Sequence, residues 1–201
     1  GFNPNIVVAG YKKELLLNHL EGNNAVEIAV QEEQKGTAHA VMQVTPLKDK
    51  LKENLIVLMG DVPLLSQKTI QQLVDVHTKN NAIITVLTAQ TEEPSGYGRI
   101  LKNSKGNVVG IVEEKDCTAE EREIKEINSG IYIFNTSYLF DNLSKINNVN
   151  KQNEFYLTDI VKIASDEGQV ISSFCVDDVM EITGVNSIND LEQLQNHLNN
   201  Q

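Results

Sequence analysis

Cations, cysteines and long apolar runs are all scarce in this chain, and tryptophan is absent. Lys and Arg number 17 against 28 Asp and Glu, for a net charge of -11. That balance argues against sequence-independent nucleic-acid binding, which relies on cationic side chains neutralising phosphates. It argues equally against docking on anionic membranes. Small phosphorylated ligands stay open, because a divalent cation can mediate between carboxylates and phosphates. The two cysteines, Cys117 and Cys175, do not make a disulfide framework and read as reduced thiols of a cytoplasmic protein. No apolar run approaches the roughly 18 residues that span a bilayer. The opening Gly1-Phe2-Asn3-Pro4 lacks a basic start and apolar middle, so no secretory signal is expected there. No G-x-S-x-G elbow, H-E-x-x-H motif or P-loop occurs, and the four histidines form no metal-ligand spacing. His19, His77 and His197 fall in amphipathic stretches and are expected on exposed helix faces. His39 reads as a packing or surface residue.

What is present is globular. Apolar residues make up 40% of the 201 and charged residues 22%. A chain of this length suits one domain spanning 1–201, burying roughly 70% of its unfolded surface. Short apolar runs alternate with amphipathic stretches. Strands are expected at Asn5–Ala9, Ala25–Val30, Asn54–Met59, Ala82–Ala89, Arg99–Leu101, Val108–Val112, Ile127–Phe134 and Val170–Val176. Helices are expected at Tyr11–Leu20, Thr37–Val44, Ser66–Lys79, Ser137–Leu143 and Leu157–Glu167. Thr118-Ala119-Glu120-Glu121 and Ser187-Ile188-Asn189-Asp190 have capping-box spacing. Asn54–Met59, apolar throughout, suggests the middle of a parallel sheet. The alternation implies an α/β sandwich, mostly parallel, with helices on both faces.

Ligands of such sheets bind beyond the carboxyl ends of the strands, so residues just after strands carry the information. Gly60-Asp61 follows the most apolar strand. Gly60 admits a close ligand and Asp61 offers a carboxylate to a hard cation, although turn chemistry explains the pair equally. Gln31 to Thr37 follows another strand. Gly36-Thr37 at a helix start suits a nucleotide or phosphate, and also suits an ordinary helix start. Gly96-Tyr97-Gly98-Arg99 reads as a tight turn or a backbone pressed on a ligand. Glu113-Glu114-Lys115-Asp116 is a charge run of the kind that usually faces solvent. Asn128-Ser129-Gly130 interrupts an apolar strand, where polar groups need partners. Asn186 precedes a capping box, with its amide free to face a cleft.

In order and spacing, seven motifs resemble the bacterial UDP-N-acetylglucosamine pyrophosphorylase family, the uridyltransferase half of a bifunctional uridyltransferase/acetyltransferase. They are Gln31…Gly36-Thr37-Ala38-His39-Ala40, Gly60-Asp61-Val62-Pro63-Leu64, Gly96-Tyr97-Gly98-Arg99-Ile100, Ile111 to Asp116, Glu126 to Ile131, Glu154 to Asp159, and Gly184-Val185-Asn186. The resemblance covers essentially the whole chain. It implies a Rossmann-like nucleotidyltransferase sandwich. It implies Mg²⁺-dependent in-line transfer, in which GlcNAc-1-phosphate attacks the α-phosphorus of UTP to give UDP-GlcNAc, a cell-wall precursor, and pyrophosphate.

By that resemblance Gln31, Gly36 and Thr37 hold the uracil end, and Gly60 lies at the nucleotide. Asp61 and Asn186 hold Mg²⁺, so Asp61 acts catalytically through the metal. Gly98, Glu113 and Asn128 hold the sugar, with Tyr156 and Thr158 lining its side. Two departures accompany the match. The family opens with a strand and a glycine-rich loop, whereas this chain starts at what is there the second strand. The missing strand is expected between Ile6–Val8 and Leu55–Leu58, and the chain as given is expected to turn over little substrate. A β-helix acetyltransferase domain is not expected within 1–201, and by the resemblance a chain without one is expected to be a monomer. Met59 also stands where the family has Tyr. Another sugar-1-phosphate nucleotidyltransferase of the same fold, or a non-catalytic sugar-nucleotide-binding module, are the alternatives.

Overall fold

The computed structural model describes residues 2–199. Eight strands alternate with helices: β1 Asn5–Ala9, α1 Lys13–Leu20, β2 Val26–Val30, α2 Thr37–Met42, β3 Asn54–Val57, α3 Gln67–Lys79, β4 Ile84–Gln90, β5 Arg99–Lys102, β6 Val108–Val112, α4 Ala119–Arg122, β7 Glu126–Asn135, α5 Thr136–Asn142, α6 Asp159–Asp166, β8 Ile171–Val176 and α7 Ile188–Asn199. The expected elements are all there, with ends shifted by a few residues. Beyond the end of α2, Pro46 sits inside a 3-10 turn over Thr45–Lys50. Its fixed φ and missing N–H suit the first turn of a helix. Both capping boxes form. Thr118 and Glu121 bond reciprocally at α4, and Ser187 and Asp190 do the same before α7.

β1 and β2 pair in parallel as a two-stranded sheet. The other six strands form a second sheet in the order β6-β5-β7-β4-β8, with β3 also paired to β7. β3, β4, β5 and β8 run one way, while β6 and β7 run against them. The direction common to the sheet is therefore the one expected, yet β7 threads through it and makes most of the pairings antiparallel. The placement of β3 needs correction. It was expected in the interior of a parallel sheet. Instead it pairs antiparallel, and only with β7 among the described residues, and its side chains are half-buried. Its apolar run is explained by two covered faces, not by two paired edges. β1 likewise pairs only with β2 among the described residues.

Alternation along the central strands divides the core between the two faces of the large sheet. Ile84, Val86, Tyr132 and Phe134 meet Leu139 of α5 and Ile160, Val161 and Ala164 of α6 on one face. Leu87, Ala89, Ile127, Ile131 and Ile133 meet Leu73 of α3 and Ile182 on the other. Helices therefore cover both faces. His77, expected on an exposed face of α3, is buried at 4% exposure. Its Nδ1 bonds Thr85 Oγ1 at 2.8 Å and its Nε2 bonds Asn54 Oδ1 at 3.2 Å, which satisfies the ring inside the core. His19 is exposed as expected. The side chain of His197 lies outside the described residues.

Asn128-Ser129-Gly130 distorts β7. Val86 pairs with Tyr132 and Thr88 with Asn128, so two steps along β4 match four along β7. This is a bulge, and it leaves backbone groups without ladder partners. The side chains replace those partners. Ser129 Oγ donates to Leu87 O at 2.7 Å and accepts from Ile131 N at 3.1 Å, and Asn128 Oδ1 accepts from Gly130 N at 3.2 Å.

Candidate active site

β3, β4 and β8 run in one direction, so their carboxyl ends share one edge of the large sheet with the bulged half of β7. Leaving β3, the chain passes Met59 and Gly60 to Asp61, with Met59 packed on Gly130 of the bulge. Leaving β8, it makes a 3-10 turn over Val179–Ile182 and reaches Gly184-Val185-Asn186. The two segments are stitched by Val185 N donating to Asp61 O at 2.8 Å. A Cβ on Gly184 would stand 3.1 Å from Asp61 Oδ2 and 3.6 Å from Asn186 Nδ2. Asp61 and Asn186 therefore flank one point, although they come from opposite ends of the chain. Neither side chain has a hydrogen-bond partner among the described residues, and both are exposed. A carboxylate and an amide oxygen are hard donors, which suits Mg²⁺ completing its shell with phosphate oxygens and water. No group of three His, Cys, Asp or Glu arranged for a metal occurs among the described residues. Gly60 adds open space, with nothing within 4 Å of its missing Cβ.

A second group gathers around Glu113, at the end of β6. Thr158 Oγ1 donates to Glu113 Oε1 at 2.9 Å. A Cβ on Gly98 would lie 3.4 Å from Glu113 Oε2, and Asn128 N donates to Gly98 O at 2.8 Å. Asn128 Nδ2 also donates to the buried Tyr132 hydroxyl at 2.7 Å. Tyr156 joins Glu113, Asp116 and Asp159 around a cavity of about 240 Å³. Burial pushes the Glu113 carboxyl above the usual range, with Asp159, Asp116 and Glu154 adding repulsion and Thr158 partly opposing them. Asp159 is raised by burial and by Asp116. The Tyr156 phenol is pushed up to about 12, mainly by burial. The site thus concentrates negative charge beside hydroxyl donors, an arrangement made for accepting hydrogen bonds from a polyol.

The third group, Gln31, Gly36 and Thr37, is locked to the second. Phe155 N donates to Lys35 O at 2.7 Å, Ala38 N to Phe155 O at 2.9 Å, and Leu157 N to Thr37 Oγ1 at 3.0 Å. Gly36 lies so close to this strap that a Cβ would sit 2.5 Å from Phe155 O. Gln31 is buried, its Nε2 donating to Gly36 O at 3.2 Å and meeting His39 Nδ1 at 3.0 Å. Gln31 thus braces the Gly36 loop from inside.

Sequence reasoning passed over several supports of the site. By charge patterning alone Glu113-Glu114-Lys115-Asp116 reads as a solvated face, and only the resemblance turns Glu113 toward a sugar. Glu113 turns inward, and Glu114 pairs with Arg99, only 2% exposed, at 2.7 Å and with Arg122 at 2.6 Å. The one sign of this was Arg99 itself, a charged residue directly before the apolar pair Ile100-Leu101. Asp116, Phe155 and Asp159 lie inside motifs of the resemblance, but nothing in the sequence assigned them a role.

With this geometry in hand, likeness to known proteins becomes informative. The chain is 40% identical over 198 residues to the protein named Bifunctional protein GlmU of Pelotomaculum thermopropionicum, covering 98% of this chain and 43% of that relative. It is 43% identical over 209 residues to its namesake in Cutibacterium acnes, covering 99% of this chain and 50% of the relative. The chain therefore spans about half the length of these curated relatives or less. A crystal structure of UDP-glucose pyrophosphorylase complexed with UDP-glucose superposes with a TM-score of 0.72 at 19% identity, covering 97% of this chain and 80% of that one. That likeness establishes the fold. The family model for nucleotidyl transferases matches residues 1–195. A sheet with helices on both faces, strand ends gathered at one edge, and a match along almost its whole length together make this chain a member of the nucleotidyl transferase family.

Proposed function

We propose that the chain belongs to a uridyltransferase domain that joins UTP and GlcNAc-1-phosphate into UDP-GlcNAc, releasing pyrophosphate. The observation that carries the reading is the meeting of Asp61 and Asn186 around Gly184; a separate cavity of about 240 Å³ edged by Glu113 supports the sugar side. In this reading a phosphate oxygen of the sugar phosphate forms a bond to the α-phosphorus as the bond to pyrophosphate breaks in line. No protein nucleophile takes part. Glu113 accepts from sugar hydroxyls and orients the ring. Asn128, Gly98, Tyr156 and Thr158 close the sugar side. Gln31 fixes Gly36, and Gly36 with Thr37 faces the uracil. Gly60 leaves room for the nucleotide backbone. The protein's share is orientation of two anions, a large part of the barrier in such reactions. Mg²⁺ held by Asp61 and Asn186 offsets the charge of the phosphates. The reading includes a cytoplasmic location. Among the described residues no helix is long and apolar enough to cross a membrane.

Titration calorimetry of the chain with UDP-GlcNAc, UDP-glucose and an ADP-sugar, with and without Mg²⁺, tests it. Saturable binding strongest for UDP-GlcNAc and enhanced by Mg²⁺ is expected. Preference for UDP-glucose favours a different sugar nucleotidyltransferase, and no binding at all removes the reading.

A further inference from the structure

The pairing of Asp61 with Asn186 needs a physical cause, because each stands on an exposed loop and loops of that kind drift. Glu181 supplies one. It lies in the 3-10 turn Val179–Ile182, five residues before Asn186. Its Oε2 accepts from Ser66 N at 3.0 Å and from Thr69 Oγ1 at 2.6 Å. Those groups belong to the first turn of α3, the helix entered just after Asp61. Ser66 Oγ already caps Thr69 N at 3.1 Å. The Glu181 carboxylate is therefore a second cap, supplied from the far end of the chain. It lies at the positive end of a 13-residue helix, where negative charge is favoured. Next to it, Ile182 is 1% exposed and packs in the core with Leu73 and Leu87. The turn is thus anchored on one side by apolar packing and on the other by charge-assisted hydrogen bonds.

We infer that Glu181 is a positioning residue that holds the Asn186 segment against the Asp61 loop, and so sets the affinity for a divalent cation without touching it. The inference rests on the metal-binding role proposed for Asp61 and Asn186. Its consequence is specific. Removing the carboxylate frees one ligand relative to the other while leaving both ligands chemically intact. Loss of a support of this kind typically lowers metal affinity about 10–100-fold. The isosteric amide keeps one acceptor oxygen in place and loses only the charge.

The test uses the full chain with Mn²⁺ as probe in the presence of excess UDP-GlcNAc. It follows paramagnetic broadening of the backbone amides of Asp61, Gly184 and Val185. Glu181→Ala is expected to move the broadening midpoint to at least about 10-fold higher Mn²⁺. Glu181→Gln is expected to stay within about 3-fold of wild type, and Thr69→Val, which removes one of the two bonds, to fall between them. UDP-GlcNAc affinity measured without metal is expected to be the same in all four proteins. Wild-type broadening with an unchanged midpoint in Glu181→Ala overturns the role of Glu181 alone. An absence of broadening in wild type overturns the metal site and this inference with it. If Glu181→Ala does not fold, an unchanged midpoint in Thr69→Val overturns the inference.

Discussion

Replacing Gly36 by alanine probes the contact that joins the two halves of the site. Gly36 has φ +105° and ψ 175°, a region closed to residues with a Cβ. Forcing alanine there costs about 1–3 kcal/mol. The new methyl would also stand 2.5 Å from Phe155 O and 2.8 Å from Phe155 N, inside the 3.0 Å that Cβ atoms essentially never cross. Both clashing atoms are backbone, so no rotamer relieves them, and overpacking adds about 1–3 kcal/mol. A total of about 2–6 kcal/mol follows, a large share of the roughly 5–15 kcal/mol that holds a domain together. The strap can escape by opening instead. That releases the Phe155–Lys35 and Ala38–Phe155 hydrogen bonds at about 0.5–1.5 kcal/mol each. Gly106 is the control. It also has positive φ, +80°, but nothing lies within 4 Å of its missing Cβ, so Gly106→Ala pays only the conformational cost of about 1–2 kcal/mol. Urea unfolding of both variants measures the difference. Amide exchange at Ala38 and Phe155 shows whether the strap has opened. UDP-GlcNAc binding is expected to weaken in Gly36→Ala and to hold in Gly106→Ala. Equal stability losses in the two variants, with no change in exchange at Phe155, would refute the reasoning.

Other substitutions test other contacts. Asp61→Ala should abolish the Mg²⁺ enhancement of UDP-GlcNAc binding while leaving metal-free binding intact; calorimetry with an unchanged Mg²⁺ effect would remove Asp61 from the cation. Glu113 carries a raised proton affinity, so its contribution is fully present below the unfolded carboxylate range and is lost as pH rises through its elevated value. Glu113→Gln should therefore gain stability relative to wild type at pH 7.5 compared with pH 4, and urea midpoints with a pH-independent gap would contradict this. Asn128→Ala leaves the buried Tyr132 hydroxyl without the donor it now meets at 2.7 Å and should cost about 1–3 kcal/mol. Adding Tyr132→Phe should recover part of that loss, since the orphaned hydroxyl goes with it, and a double variant no more stable than the single one counts against the pairing.

Local signals carried the element order, both capping boxes, the hairpin of β5 and β6, and the family. Each depends on residues close in sequence: apolar periodicity, a Ser or Thr three residues before an acid, a turn between two strands. Gln31, Gly60, Asp61 and Glu113 stood out for the same reason, since each follows a strand, whereas Asn128, Tyr156 and Thr158 were assigned only through the resemblance. Three-dimensional packing decided the rest. β7 runs against its neighbours and β3 pairs only with it among the described residues, because an apolar run reports two covered faces, while strand direction is set by which long-range edges meet. His77 entered the core because Thr85 and Asn54, from two other elements, satisfy its ring. Glu181 gained its place from Ser66 and Thr69 across the fold, and Asp61 met Asn186 only when β3 and β8 delivered their loops to one edge. Periodicity reports which face of an element is buried, whereas the partner against which it is buried, and the charges that partner brings, exist only once the chain has closed on itself.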